Sequence, residues 1–118
     1  MAATHEPEAG GLPAAEAVEL QSLVAYQEGA IVSRTLAKKN GGTVTLFAFD
    51  EGQALSEHTA PFDALVQVTD GEAEIRIAGE PHRVAAGEMI IMPANQSHAL
   101  KALTPFKMML TMIRAKNR

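Results

Sequence analysis

From Gly29 to the C-terminal end, turn-forming residues interrupt the chain at short intervals, and the apolar side chains between them recur with a period of two. Nothing in that region sustains a 3.6-residue period for the ten or more residues a helix needs, so the backbone must find its hydrogen-bond partners between strands. Asn40-Gly41-Gly42 and Asp70-Gly71 read as hairpin turns, because Asn, Asp and Gly accept the positive φ that two-residue β-turns demand. Further turns fall at Gly79-Glu80-Pro81 and Ala86-Gly87-Glu88, with a corner at Pro61. The expected strands are 30–36, 43–49, an extended stretch ending at Thr59, then 63–69, 73–78, a short piece at Arg83-Val84, 89–92, 98–102 and 106–113. About nine short strands in roughly 85 residues indicate an all-β antiparallel sandwich or small barrel.

In the segment 43–49, Val44, Leu46 and Ala48 alternate with Thr43, Thr45, Phe47 and Phe49, so both faces are rather apolar. Such a strand needs a core on one side and, on the other, either a second chain or the N-terminal segment. The chain of 118 residues is one domain's worth, with a barrel domain expected over 18–113. Residues 1–17 contain Pro7, Pro13, Gly10-Gly11 and three glutamates, a composition that buries too little to offset its ordering entropy, and they are expected to form a flexible arm. Residues 18–26 fit neither template, and 114–118 read as a solvated basic tail.

Charge and composition remove several classes of function. Ten Lys+Arg against fourteen Asp+Glu leave a net charge of −4, the wrong sign for a domain that tracks phosphate backbones, so no nucleic-acid partner is expected. No apolar run approaches the roughly 18–20 residues of a spanning helix and no basic-then-apolar leader opens the chain, so no membrane partner and a cytoplasmic location are expected. The absence of cysteine excludes disulfides, thiolate metal sites and a cysteine nucleophile, leaving His, Asp and Glu as candidate ligands or catalysts. Nucleophile elbows and phosphate-cradling glycine loops are also absent.

Two segments carry informative spacings. Gly52, five residues, His58, one residue, Ala60, three residues, Ala64, six residues and Gly71 form the first. Gly87, five residues, Pro93, one residue, Asn95, two residues, His98, three residues and Ala102 form the second. These rulers resemble the two motifs of the cupin superfamily, G-x5-H-x-H-x3,4-E-x6-G and G-x5-P-x-G-x2-H-x3-N, over about residues 30–113. The resemblance implies an antiparallel double-stranded β-helix, a jelly-roll barrel, and a homodimer. Asn95 stands where the motif has glycine, and Asn tolerates the left-handed conformation better than other non-glycine residues.

A metal-bearing member of that family is expected to hold its ion with three histidines and one glutamate; here Ala60 and Ala64 occupy two of those four positions. The resemblance therefore leaves His58 and His98 as metal ligands, for a weakly held divalent ion (Zn, Ni, Fe or Mn), or as polar residues of a metal-free pocket that contact a small organic molecule. Two ligands in place of four reduce a structural-zinc affinity of roughly 10–16 kcal/mol to about half, a dissociation constant of roughly 0.1 mM to 1 µM. Glu57 and Asp63 neighbour motif positions and point away from the interior in regular strands, while Gln96 lies two residues before His98 in a loop.

The expected pocket is bounded by His58, His98 and Gln96 and floored by Val66, Val68 and Leu100, which share the inward phase of the motif positions. Met108, Leu110 and Met112 share one face, either as core filling or as an adaptable apolar wall opposite the histidines. His82 reads as a surface or rim residue, and His5, in the arm, carries no functional weight. Three functions follow: a barrel that binds a small polar organic molecule; a metal-dependent isomerase or dioxygenase acting on a sugar acid or similar metabolite; or a scaffold that engages a partner.

Overall fold

The computed structural model describes residues 11–114; the first ten residues of the expected arm, His5 among them, and residues 115–118 of the expected tail lie outside it. Nine strands follow one another: β1 Ile31–Lys39, β2 Gly42–Phe49, β3 Ala54–His58, β4 Phe62–Asp70, β5 Glu72–Ile77, β6 Glu80–Ala85, β7 Met89–Met92, β8 His98–Ala102 and β9 Phe106–Arg114. They form two antiparallel sheets, in the order β1-β2-β9-β4-β7 and β3-β8-β5-β6. The described residues contain no helix long and apolar enough to cross a membrane.

Only β1–β2 and β5–β6 are hairpins within one sheet; every other connection passes from one sheet to the other, which wraps the pair into a double-stranded β-helix. Three expected turns are corrected by this topology. Asp70-Gly71 joins β4 to β5, which lie in different sheets, so it is a corner and not a hairpin. Gly71 is required there for another reason: at φ +74° any Cβ would drive into the carbonyl oxygen of Pro105. The Asn40-Gly41 turn does close a hairpin, with Lys39 opposite Gly42, but no residue of 40–42 takes a positive φ. The same hairpin carries a bulge between Thr35 and Ala37, a device that raises local twist.

The third correction is the turn read at 79–81, which sits one residue earlier. Ile77 pairs with Glu80, leaving Ala78 (φ 51°) and Gly79 (φ 85°) as the two central residues, the left-handed pair that matches strand twist. Pro81 and His82 therefore lie within β6. Proline is tolerated there because β6 is the edge of its sheet.

Between the sheets, Phe49 and Phe106 pack edge to face at 4.5 Å, with Val66, Val68, Ile75 and Met108 fully buried around them. A second, smaller cluster lies on the outer face of the larger sheet, where Val24 closes over Val32, Leu36, Leu46 and Ala48, with Leu23 and Tyr26 beside it. The segment left unassigned from sequence thus supplies the outer cover of β2. After a 3-10 turn at Leu20–Ser22 it is pinned to the sheet: Tyr26 donates its hydroxyl hydrogen to Asp70, Gln21 Nε2 donates to Thr69 O at 2.9 Å, and Lys107 Nζ donates to Gln21 O at 2.7 Å. The two apolar faces of β2 are both satisfied within one chain, so pairing with a second copy rests on the family resemblance.

Candidate functional site

His58 ends β3 and His98 begins β8, and the two strands bring them opposite one another. Their placement depends on an irregularity. Leu55 pairs with Leu100 and His58 with His98, so three steps along β3 are matched by two along β8. In a regular strand residues 55 and 58 would face opposite ways; the extra residue returns both to the side that borders the cavity, Leu55 half-buried and His58 exposed at its rim.

The imidazoles meet edge to face. The rings stand 4.4 Å apart at 73°, with Nε2 of one 3.2 Å from Nε2 of the other. His58 Nδ1 lies 2.8 Å from Ser56 O, and His98 Nδ1 lies 3.2 Å from Gln96 O. A carbonyl oxygen only accepts, so each Nδ1 carries the ring hydrogen and donates it. In the neutral rings both Nε2 atoms are then bare lone pairs directed at one another. That arrangement is relieved by one shared proton, by a hydrogen donated from a ligand, or by a cation. Burial holds His98 below the usual imidazole range, the charge of His58 lowers it further, and the bond to Gln96 O opposes both.

The pair forms one wall of a cavity of about 60 Å³ whose remaining lining is apolar. Leu55 and Leu100 flank the histidines on their own sheet; Met108, Leu110 and Met112 from β9 and Met92 from β7 face them from the other; Ala60 and Ala64 complete the surface. The structure therefore brings together His58, His98, Leu100, Met108 and Met112 of the residues expected from sequence. Val66 and Val68 are buried in the core and do not border the cavity, and Gln96 is exposed, meeting His98 through its main-chain carbonyl. Leu110 also lines it, on the wall it was expected to share with Met108 and Met112, whereas Leu55 and Met92 were not placed there by sequence reasoning. Leu55 had no signal, because the bulge that turns it inward leaves no mark in composition.

The side chains weighed as additional ligands lie outside the cavity lining. Asp63 accepts a hydrogen bond from the main-chain N–H of Ala94 at 2.9 Å, Glu57 is exposed, and His82 is exposed on β6. Asn95 takes φ 66°, the left-handed conformation its motif position requires, and its N–H donates to Ala60 O at 2.8 Å. Among the described residues no three His, Cys, Asp or Glu side chains converge as a metal-binding group. The three-histidine, one-glutamate site implied by the family resemblance does not fit this chain.

A cupin domain family profile matches residues 45–114. Among curated proteins, the pyrimidine/purine nucleoside phosphorylase of Geobacter sulfurreducens is 31% identical over 81 residues, covering 67% of this chain and 76% of the relative. Among solved structures, a protein of unknown function from Streptococcus pyogenes superposes with a TM-score of 0.84 at 36% identity, covering 90% of this chain and 93% of that one. A cupin 2 conserved barrel domain protein from Leptotrichia buccalis is 41% identical with a TM-score of 0.78, covering 80% of this chain but 46% of its own length. A cupin superfamily protein from Desulfitobacterium hafniense gives a TM-score of 0.82 at 27% identity, covering 87% and 94%.

Proposed function

This chain belongs to the Cupin_2 family of cupin domains, and from that membership and the geometry of its cavity we propose that the barrel binds a small organic molecule through the His58–His98 pair. The observation that carries this reading is the pair of inward Nε2 lone pairs on an otherwise apolar wall. A pocket that is mostly apolar with a few placed polar groups orients a ligand by those groups. Two unprotonated nitrogens 3.2 Å apart select a ligand that brings a hydrogen, such as a carboxylic acid or a hydroxyl. An acid that passes its proton to the pair leaves a carboxylate beside an imidazolium, a charge-assisted contact strengthened by the apolar surroundings.

Size narrows the class further. About 60 Å³ holds only a few non-hydrogen atoms, well below the roughly 300–1,000 Å³ of sites that enclose drug-sized ligands. Short-chain hydroxy or keto acids suit it, whereas a nucleoside with phosphate, the substrate class in the name of the Geobacter relative, does not enter the cavity as it stands. An isomerase or dioxygenase run by a divalent ion ranks behind binding because the two alanines remove half of the ligand set.

The reading is tested by thermal-shift titration of the untagged protein with a panel of C2–C5 carboxylic acids. Stabilisation by at least one acid in the parent, and its loss in His98→Ala, is the expected result. Stabilisation that persists unchanged in His98→Ala refutes the assignment of the pair as the binding group. Turnover that chelator abolishes and a divalent ion restores would instead favour the enzyme.

A further inference from the structure

Ala64 lies on β4 between two methionines. It pairs with Met92 on one side and with Met112 on the other, so the three residues form one cross-strand row on the inner face of the larger sheet. Neighbours in such a row have Cα atoms only about 4.5–5.5 Å apart. Two long thioether side chains therefore flank a methyl group, and both border the cavity that His58 and His98 border from the other sheet. This is the position at which the motif expects a carboxylate.

We propose that this cavity is a copper(I) site, with imidazole nitrogens supplied by His58 and His98 and thioether sulfurs by Met92 and Met112. The proposal shares the imidazoles and the cavity with the reading above, but its sulfur donors are its own. Three features of the donor set select this ion. Thioether sulfur is a soft ligand that favours copper(I), while divalent ions of the harder kind want the carboxylate that the lining lacks. The cost of placing an ion in an apolar cavity rises with the square of its charge, so a monovalent ion is tolerated where a divalent one is not. Finally, two nitrogens 3.2 Å apart subtend an angle of about 100–106° at an ion held by metal–nitrogen bonds of about 2.0–2.1 Å, near the tetrahedral value.

The backbone prepares the nitrogens for such a role. Each ring donates its Nδ1 hydrogen to a main-chain carbonyl, which fixes the tautomer and leaves Nε2 free, the arrangement that metal-ligating histidines adopt. Core filling by methionine accounts for Met92 and Met108 being buried, but it does not require the sulfur-bearing residues to gather around the one imidazole pair.

The test is an anaerobic competition of the untagged protein against a chromophoric copper(I) chelator, with X-ray absorption on the loaded sample. One equivalent retained, with both nitrogen and sulfur scatterers, is expected. The double variant Met92→Leu, Met112→Leu keeps shape and apolarity and should melt close to the parent, yet lose copper(I) affinity by at least about tenfold. Competition by that variant equal to the parent, or a parent that retains no copper(I), overturns the proposal. Stabilisation by small acids is read separately on the same variant and is expected to be unchanged, so failure of the copper site and failure of the organic-ligand reading give different patterns.

Discussion

Replacing both imidazoles with leucine separates what the pair does for the fold from what it does for the site. The His58→Leu, His98→Leu variant loses two Nδ1–H hydrogen bonds, to Ser56 O and Gln96 O. At a net value of about 0.5–1.5 kcal/mol each, the loss is about 1–3 kcal/mol, and toward the lower end because Ser56 and Gln96 are exposed enough for water to take over. Against this, position 98 is 5% exposed, and a leucine there regains about 1.5–3 kcal/mol of apolar burial while removing two opposed lone pairs. The expected net change is within about 1.5 kcal/mol of zero, whereas His98→Ala leaves a void and costs about 2–5 kcal/mol, by analogy with other large-to-small core changes. Urea unfolding at constant m-value measures both. A double-leucine variant destabilised by more than about 3 kcal/mol, and no better than His98→Ala, would refute the argument and make the pair a structural element. A variant that folds well and has lost acid-induced stabilisation would show histidines retained for binding at little benefit to the fold.

Acid sensitivity follows from the same pair. The folded-state pKa of His98 is lowered, so the unfolded chain binds the extra proton; stability is therefore full above the ordinary imidazole value of about 6.5 and is lost as pH falls from there through the lowered folded value. Chemical denaturation across that window should show the decline in the parent and a flatter profile in His98→Leu. Gly71→Ala combines a positive φ with a collision against the Pro105 carbonyl and should cost more than about 2 kcal/mol, while Gly41→Ala, which meets nothing within 4 Å, should stay within about 0.5 kcal/mol of the parent; differential scanning of the two variants checks the contrast. Val24→Ala removes two methyl groups from the seal over Leu46 and Ala48, an expected cost of about 1.6 kcal/mol at about 0.8 kcal/mol per group, with hydrogen exchange rising first in β1 and β2.

The strands were legible because their signals are local. Period-two alternation and turn residues place nine strands close to the observed bounds. Pairing was less legible because it is decided by distant segments. Asp70-Gly71 has the composition of a hairpin, yet β4 finds its partners in β7 and β9, more than eighteen residues further on, and the turn becomes a corner. The two histidines could be found from spacing alone, since period-two geometry and the motif rulers converge on them. Their surroundings could not: Leu55 is turned inward by a bulge, and the Met92–Ala64–Met112 row exists only once β4 is known to lie between β7 and β9. Val66 and Val68 share the inward phase, but phase does not say how deep along the barrel a residue sits, and these two fall in the packed interior.

The clasp formed by Gln21 and Tyr26 also sets a schedule for synthesis. Gln21 is 86 residues ahead of its partner Lys107, so the ribosome has to add all of that chain before the last anchor exists. At roughly 5–20 residues per second, that last anchor arrives roughly 4–17 s after Gln21 is translated. For that interval the cover over Leu46 and Ala48 is held on the nascent chain without its bond to Lys107. Shielding by a chaperone is needed most in that window, and slowing translation between residues 26 and 107 should increase co-translational aggregation without altering the stability of the finished protein.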